Sequence, residues 1–122
     1  TTAVLICLIA SSFGFKESSE DYELKVIEQD YELALAEALK DDKLLLIDFY
    51  TTWCGPCKQL DKLVLQNDSI KDILKQDVIL LRYNAENDTV FHLSKKHHVS
   101  LYPTGIMLNW PGGKSEVWFP RG

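Results

Sequence analysis

Residues 44–50 (LLLIDFY) are an unbroken apolar and aromatic run with one acid, Asp48, inside it. A run of this length without alternation suits a strand covered on both faces, as in the middle of a parallel or mixed sheet. Thr51 and Thr52 then lead into Trp53-Cys54-Gly55-Pro56-Cys57-Lys58. Beyond Pro56, Leu60, Leu63 and Val64 recur at helical spacing through residue 65. Proline fits the first turn of a helix, where a missing N–H does no harm. The two cysteines are therefore expected at a strand-to-helix junction.

The rest of the chain continues the alternation. Residues 23–28 (ELKVIE) predict a short strand. Asp30 predicts an N-cap with Leu33 beneath it, for a helix over 31–40 whose stripe holds Leu35, Ala38 and Leu39. Asp41 and Asp42 end that helix. Asn67 or Asp68 caps a short helix through Ile70, Ile73 and Leu74, and residues 78–83 (VILLRY) predict another central strand. Asn87 and Asp88 offer caps for a helix running to about His97. Residues 104–110 and 115–119 predict two strands joined by a turn at Pro111-Gly112-Gly113. The order β-α-β-α-β-α-β-β implies an α/β fold: a mixed β-sheet flanked by helices. This pattern expects a final helix over the last strand; the chain as given ends at Gly122 before it.

A length of 122 residues suits one domain. The net charge of −5 argues against nonspecific binding to nucleic acid or anionic lipid, which needs a basic surface. Residues 1–15 carry no charged side chain, and residues 3–10 (AVLICLIA) are wholly apolar. That run is too short to span a bilayer, which takes about 20 apolar residues. It has the length of a signal-peptide core, and Ala10 and Ser12 have the small-x-small spacing of a cleavage site. Cys7 follows the bulky Ile6, which disfavours lipid attachment there. The expected division is a signal-peptide remnant at 1–15, a polar linker at 16–22 and one domain at 23–122. A leader of this kind places the domain outside the cytoplasm; without one it would be cytoplasmic.

A lone pair of cysteines two residues apart in an α/β pattern reads as redox-active. At a helix N-terminus, unpaired N–H groups and the macrodipole favour a thiolate at Cys54. Cys57 lies one turn further in, facing back. Cys54 would attack a substrate disulfide, and Cys57 would resolve the mixed disulfide. Two other readings stay open at this point. A zinc site would need two more ligands, which the adjacent His97 and His98 cannot easily supply. An inert structural disulfide is the second. No metal or cofactor is expected.

These residues resemble the thioredoxin superfamily. Trp53 to Lys58 is similar to its active-site sequence, Asp48-Phe49-Tyr50 to the strand carrying its buried acid, and Tyr102-Pro103-Thr104 to the segment bearing its cis-proline. The likeness spans roughly residues 30–122. Lys43-Leu44-Leu45-Leu46 and Asn67-Asp68-Ser69-Ile70 are more similar to exported members, including the periplasmic C-terminal domain of transmembrane thiol–disulfide interchange proteins.

The resemblance implies that burial raises the pKa of Asp48 so that it can shuttle the proton of Cys57. Arg82 stands where the family has a lysine, and is expected to hold Asp48 more firmly ionised, because arginine keeps its proton. Pro103 is expected to be cis and to present the Tyr102 backbone to an extended substrate, with the large Tyr102 narrowing the groove. Trp53, Gly55 and Pro56 complete the implied substrate-binding set. Trp110 and Trp118 read as strand packing, and the three histidines as surface residues. Gly55-Pro56 resembles the reducing members. The expected function is reduction of disulfide-bearing client proteins in the bacterial periplasm, recharged by a membrane or thioredoxin-type electron donor. A net oxidase or isomerase, and a redox-silent binding module, are the alternatives.

Overall fold

The computed structural model describes residues 23–109 and the backbone of residues 114–119. The expectations for residues 1–22, for Trp110, for the turn at 111–113 and for the Trp118 side chain lie outside the described residues. In chain order the elements are β1 (Val26–Glu28), α1 (Tyr31–Lys40), β2 (Leu44–Tyr50), α2 (Gly55–Leu60), α3 (Asp68–Leu74), β3 (Val78–Asn84), α4 (Leu93–Lys96), β4 (Thr104–Asn109) and β5 (Lys114–Phe119). Among the described residues the strands form one mixed sheet in the order β1-β3-β2-β4-β5. β3 runs parallel to both β1 and β2, while β4 is antiparallel to β2 and to β5.

The apolar run of β2 is explained by its central place. Leu45, Ile47 and Phe49 pack with Ile79, Leu81 and Tyr83 of β3 and with Ala34 and Ala38 of α1. Leu46 faces the other way, with Val78, Leu80, Met107, Leu65 and Leu74. Two buried faces leave no solvent side to be polar, and each such side chain contributes about 1.5–3 kcal/mol when fully buried.

Asp30 caps α1 as expected, accepting from the Leu33 N–H at 3.0 Å. The buried stripe of α1 is Ala34 and Ala38, with Leu35 packed beside it; Leu39 is 54% exposed. Small alanines let the helix lie close on the sheet, which turns Leu39 outward. Asn67, rather than Asp68, caps α3, accepting from Ser69 and Ile70. Ile73 of that helix is exposed and Leu74 buried.

The helix after the cysteines is not uniform. α2 runs into a π-helical turn, Asp61–Leu65. The wider turn rotates the following residues relative to a regular helix. Leu65 is therefore buried, whereas Leu63, expected on the inner stripe, is 65% exposed.

The helix expected from residue 87 to His97 does not form. A 3₁₀ turn, Ala85–Asn87, follows β3, and only Leu93–Lys96 is α-helical. His92 has φ of 49°, a left-handed conformation that interrupts a right-handed helix. Asp88 nevertheless caps α4 from a distance, accepting from the N–H groups of Leu93 at 3.1 Å and Ser94 at 2.8 Å, and from the Tyr83 hydroxyl. Asp88→Ala removes all three bonds and is expected to cost about 2 kcal/mol in urea denaturation, with Asp88→Asn intermediate.

Candidate active site

The end of β2 delivers Thr51 and Thr52, and α2 begins at once. Cys54 is the N-cap of α2, and the Cys57 N–H donates to its sulfur at 3.2 Å. A sulfur in this place satisfies one of the orphan donors of the helix start, which is the interaction that favours a thiolate. Cys54 and Cys57 are joined by a disulfide, with Cα atoms 5.3 Å apart. Both are buried.

Trp53 beside them is 71% exposed. Its ring meets that of Tyr102 edge-on, centroids 6.2 Å apart. The Tyr102–Pro103 bond is cis. The aromatic contact brings the proline segment up to the tryptophan that adjoins Cys54. Gly55 and Pro56 are exposed. A Cβ on Gly55 would meet nothing within 4 Å, so this glycine relieves no clash and instead keeps the rim beside the cysteines low.

Asp48 is 3% exposed. Burial pushes its carboxyl up to about 7, against the pull of the Arg82 charge and with smaller upward contributions from Asp61 and Glu28. Arg82 is the register partner of Asp48 on the parallel neighbour β3. Arg82 pulls the Asp48 carboxyl in the expected direction, but burial outweighs that pull, so the net shift is upward. Its Nε stays 3.9 Å from Asp48 Oδ2, while Nη1 lies 3.3 Å from Glu28 and Nη2 3.7 Å from Asp61. A guanidinium that hydrogen-bonds Glu28 and stays 3.9 Å from Asp48 does not outweigh loss of solvent around a buried acid.

An open cavity of about 270 Å³ beside the disulfide is lined by Cys57, Lys58, Asp61, Arg82, Tyr50, Thr51 and Thr52. It puts the inner cysteine and the Arg82 guanidinium on one cavity.

Glu86 is a site residue that sequence reasoning missed. Its carboxylate accepts from both the N–H (2.6 Å) and the hydroxyl (2.7 Å) of Thr52, two residues before Cys54. The Glu86 N–H donates to the Asn84 side chain, and the Asn84 backbone is bracketed by Gln29. Partners 34 residues apart leave no local pattern to find.

The histidines are also corrected. His92 and His98 are exposed, but His97 is half-buried, with its ring 6.4 Å from Phe49 and its Nε2 without a hydrogen-bond partner. Burial lowers its pKa.

A family model described as thioredoxin-like matches residues 26–109. The chain is 37% identical over 79 residues to a thioredoxin of Echinococcus granulosus, covering 62% of this chain and 64% of that protein. It is 34% identical over 85 residues to thioredoxin-2 of Saccharomyces cerevisiae, covering 70% and 71%. It therefore spans just under two thirds of the first of these relatives. Among solved structures, a thioredoxin from Thermus thermophilus superposes with a TM-score of 0.66 at 21% identity, covering 78% of this chain and 72% of that one, a likeness of fold. A putative disulphide-isomerase from Bacteroides thetaiotaomicron superposes with a TM-score of 0.59 at 35% identity, covering 70% and 71%. With its cysteine pair at a helix start, a buried acid on the central strand and a cis-proline beside the tryptophan, the chain belongs to the thioredoxin-like family.

Proposed function

We propose that this domain is a thiol–disulfide oxidoreductase that reduces disulfides of other proteins outside the cytoplasm. The observation that carries the reading is the disulfide between Cys54, at the N-cap of α2, and Cys57, one turn inside. In the reduced form the Cys54 thiolate attacks one sulfur of a client disulfide, and the other client sulfur leaves as a thiolate. Cys57 passes its proton to Asp48 and attacks the Cys54 sulfur, releasing the second client thiolate. Two electrons have moved from the dithiol to the client, and the Cys54–Cys57 disulfide remains. A thiol electron donor, membrane-bound or of thioredoxin type, returns it to the dithiol.

Gly55-Pro56 between the cysteines and the similarity to thioredoxins support the reducing direction. The apolar run at residues 3–10 and the resemblance to periplasmic domains support an extracytoplasmic, periplasmic location. Cell fractionation of the full chain tests that location. A second reading, net isomerase, is favoured by the likeness to the Bacteroides protein.

Titration against a glutathione redox buffer separates the two. The reductase is expected near about −270 mV, and a value above about −180 mV would overturn it. Cys54→Ser is expected to abolish insulin disulfide reduction with the fold intact by circular dichroism. Client binding without turnover by the unsubstituted protein would instead indicate a redox-silent binding module.

A further inference from the structure

Arg82 and Asp48 are direct register partners on adjacent parallel strands, so their side chains project from the same face of the sheet. An arginine placed beside a carboxylate normally closes on it with hydrogen bonds of about 2.7–2.9 Å. Here it does not. Arg82 Nε stops 3.9 Å from Asp48 Oδ2, beyond hydrogen-bond reach. Arg82 Nε and Asp48 Oδ1 are both buried without a hydrogen-bond partner.

The other contacts of the guanidinium account for this. Glu28 is its register partner on the opposite flank, from β1, and takes Nη1 at 3.3 Å. Asp61, the first residue of the π-helical turn, stands 3.7 Å from Nη2. The Tyr50 ring lies under the guanidinium, 4.8 Å from its centroid. The fork is rigid and planar, so contacts at its outer nitrogens fix where Nε can go. The geometry points to Glu28 and Asp61 as positioning residues for the resolving step: together they hold the Arg82 guanidinium off Asp48 and leave the buried carboxyl free to take the proton of Cys57.

The inference rests on Asp48 being that proton acceptor. The proton goes from the Cys57 sulfur to a carboxylate oxygen of Asp48, and nothing else is exchanged. The charged and titratable groups facing Asp48 are Arg82 from β3, Glu28 from β1, Asp61 from the π-helical turn and Tyr50 from β2 itself, while Cys57 and Lys58 from α2 line the cavity onto which Arg82 opens. From β4 the register partner is Gly105, which carries no charge. Without Glu28 and Asp61, Arg82 has one carboxylate left to close upon.

The test is the titration of the Asp48 carboxyl carbon by NMR in the reduced protein, with single-turnover kinetics of mixed-disulfide resolution. Glu28→Gln/Asp61→Asn is expected to move the Asp48 midpoint down by more than about one pH unit. It is expected to slow resolution about tenfold at neutral pH. In an Arg82→Gln background the same two substitutions are expected to move the midpoint far less, because they act through the arginine. An equal shift with and without Arg82 would mean a direct effect of two removed charges and would overturn the inference, as would no shift. If Asp48→Asn leaves the pH profile of resolution unchanged, the acceptor role itself falls. If that profile changes while the carboxylate pair has no effect, only the positioning role falls.

Discussion

Cys57→Ser is expected to arrest the reaction at its midpoint, converting a catalyst into a trap. Cys54 keeps its place at the N-cap, where helix N–H groups stabilise a thiolate, so the first attack on a client disulfide proceeds. The second attack needs a thiol held one turn away, with the Cα atoms 5.3 Å apart. A group held in this way acts at an effective molarity that can reach about 10⁵ M or more, which free thiols at millimolar concentration cannot match. Turnover in an insulin reduction assay is expected to fall by roughly three orders of magnitude. A covalent protein–client adduct through Cys54 should accumulate, visible by mass spectrometry and cleaved by dithiothreitol. Sustained turnover in this variant would show that Cys57 is not the resolving thiol. Adducts trapped in the native compartment would name the clients.

Asp48→Asn is expected to stabilise the protein at alkaline pH while impairing it. The folded pKa of Asp48 is about 7, against 3.8 for an ordinary aspartate. Between those values the folded chain holds a proton that the unfolded chain releases. Stability therefore falls as pH rises from about 4 to about 7, and the loss is complete above the folded value. The gap corresponds to about 4 kcal/mol. By denaturant unfolding of the oxidised protein, Asp48→Asn should match the parent within about 1 kcal/mol at pH 4 and exceed it by about 4 kcal/mol at pH 8. The same substitution removes the proposed proton acceptor for Cys57, and resolution should slow by about a hundredfold near neutrality. A variant with the same pH dependence of stability as the parent would show that Asp48 is not the titrating group. The energetic conflict is of a familiar kind: a carboxyl whose proposed role depends on its being poorly solvated also weakens the fold that buries it.

How far the sequence could be read depended on the range of each interaction. The apolar run of β2, the Asp30 cap, a cap at Asn67 or Asp68 and the cysteine pair at a helix start are local patterns, and all were legible. The failures were also local patterns, undone by context. The stripe through Leu63 was displaced by the π-helical turn, and the helix expected up to His97 was cut short by the left-handed His92. Neither event has a signature in the spacing of apolar residues. At the site, Cys54, Cys57, Asp48 and Pro103 were legible as types in order, but Glu86 was not, because its bonds to Thr52 cross 34 residues.

By itself, the sequence determined which residue types stand where: two cysteines a helical turn apart, an acid within an apolar strand, and strands too apolar to be anything but central. Only the tertiary structure decided how that acid behaves. The outcome turns on a few tenths of a nanometre between Asp48, Arg82, Glu28 and Asp61, which come from three strands and a helix end. Electrostatic energies between such groups depend on separation and on the water excluded around them, and neither is written along the chain.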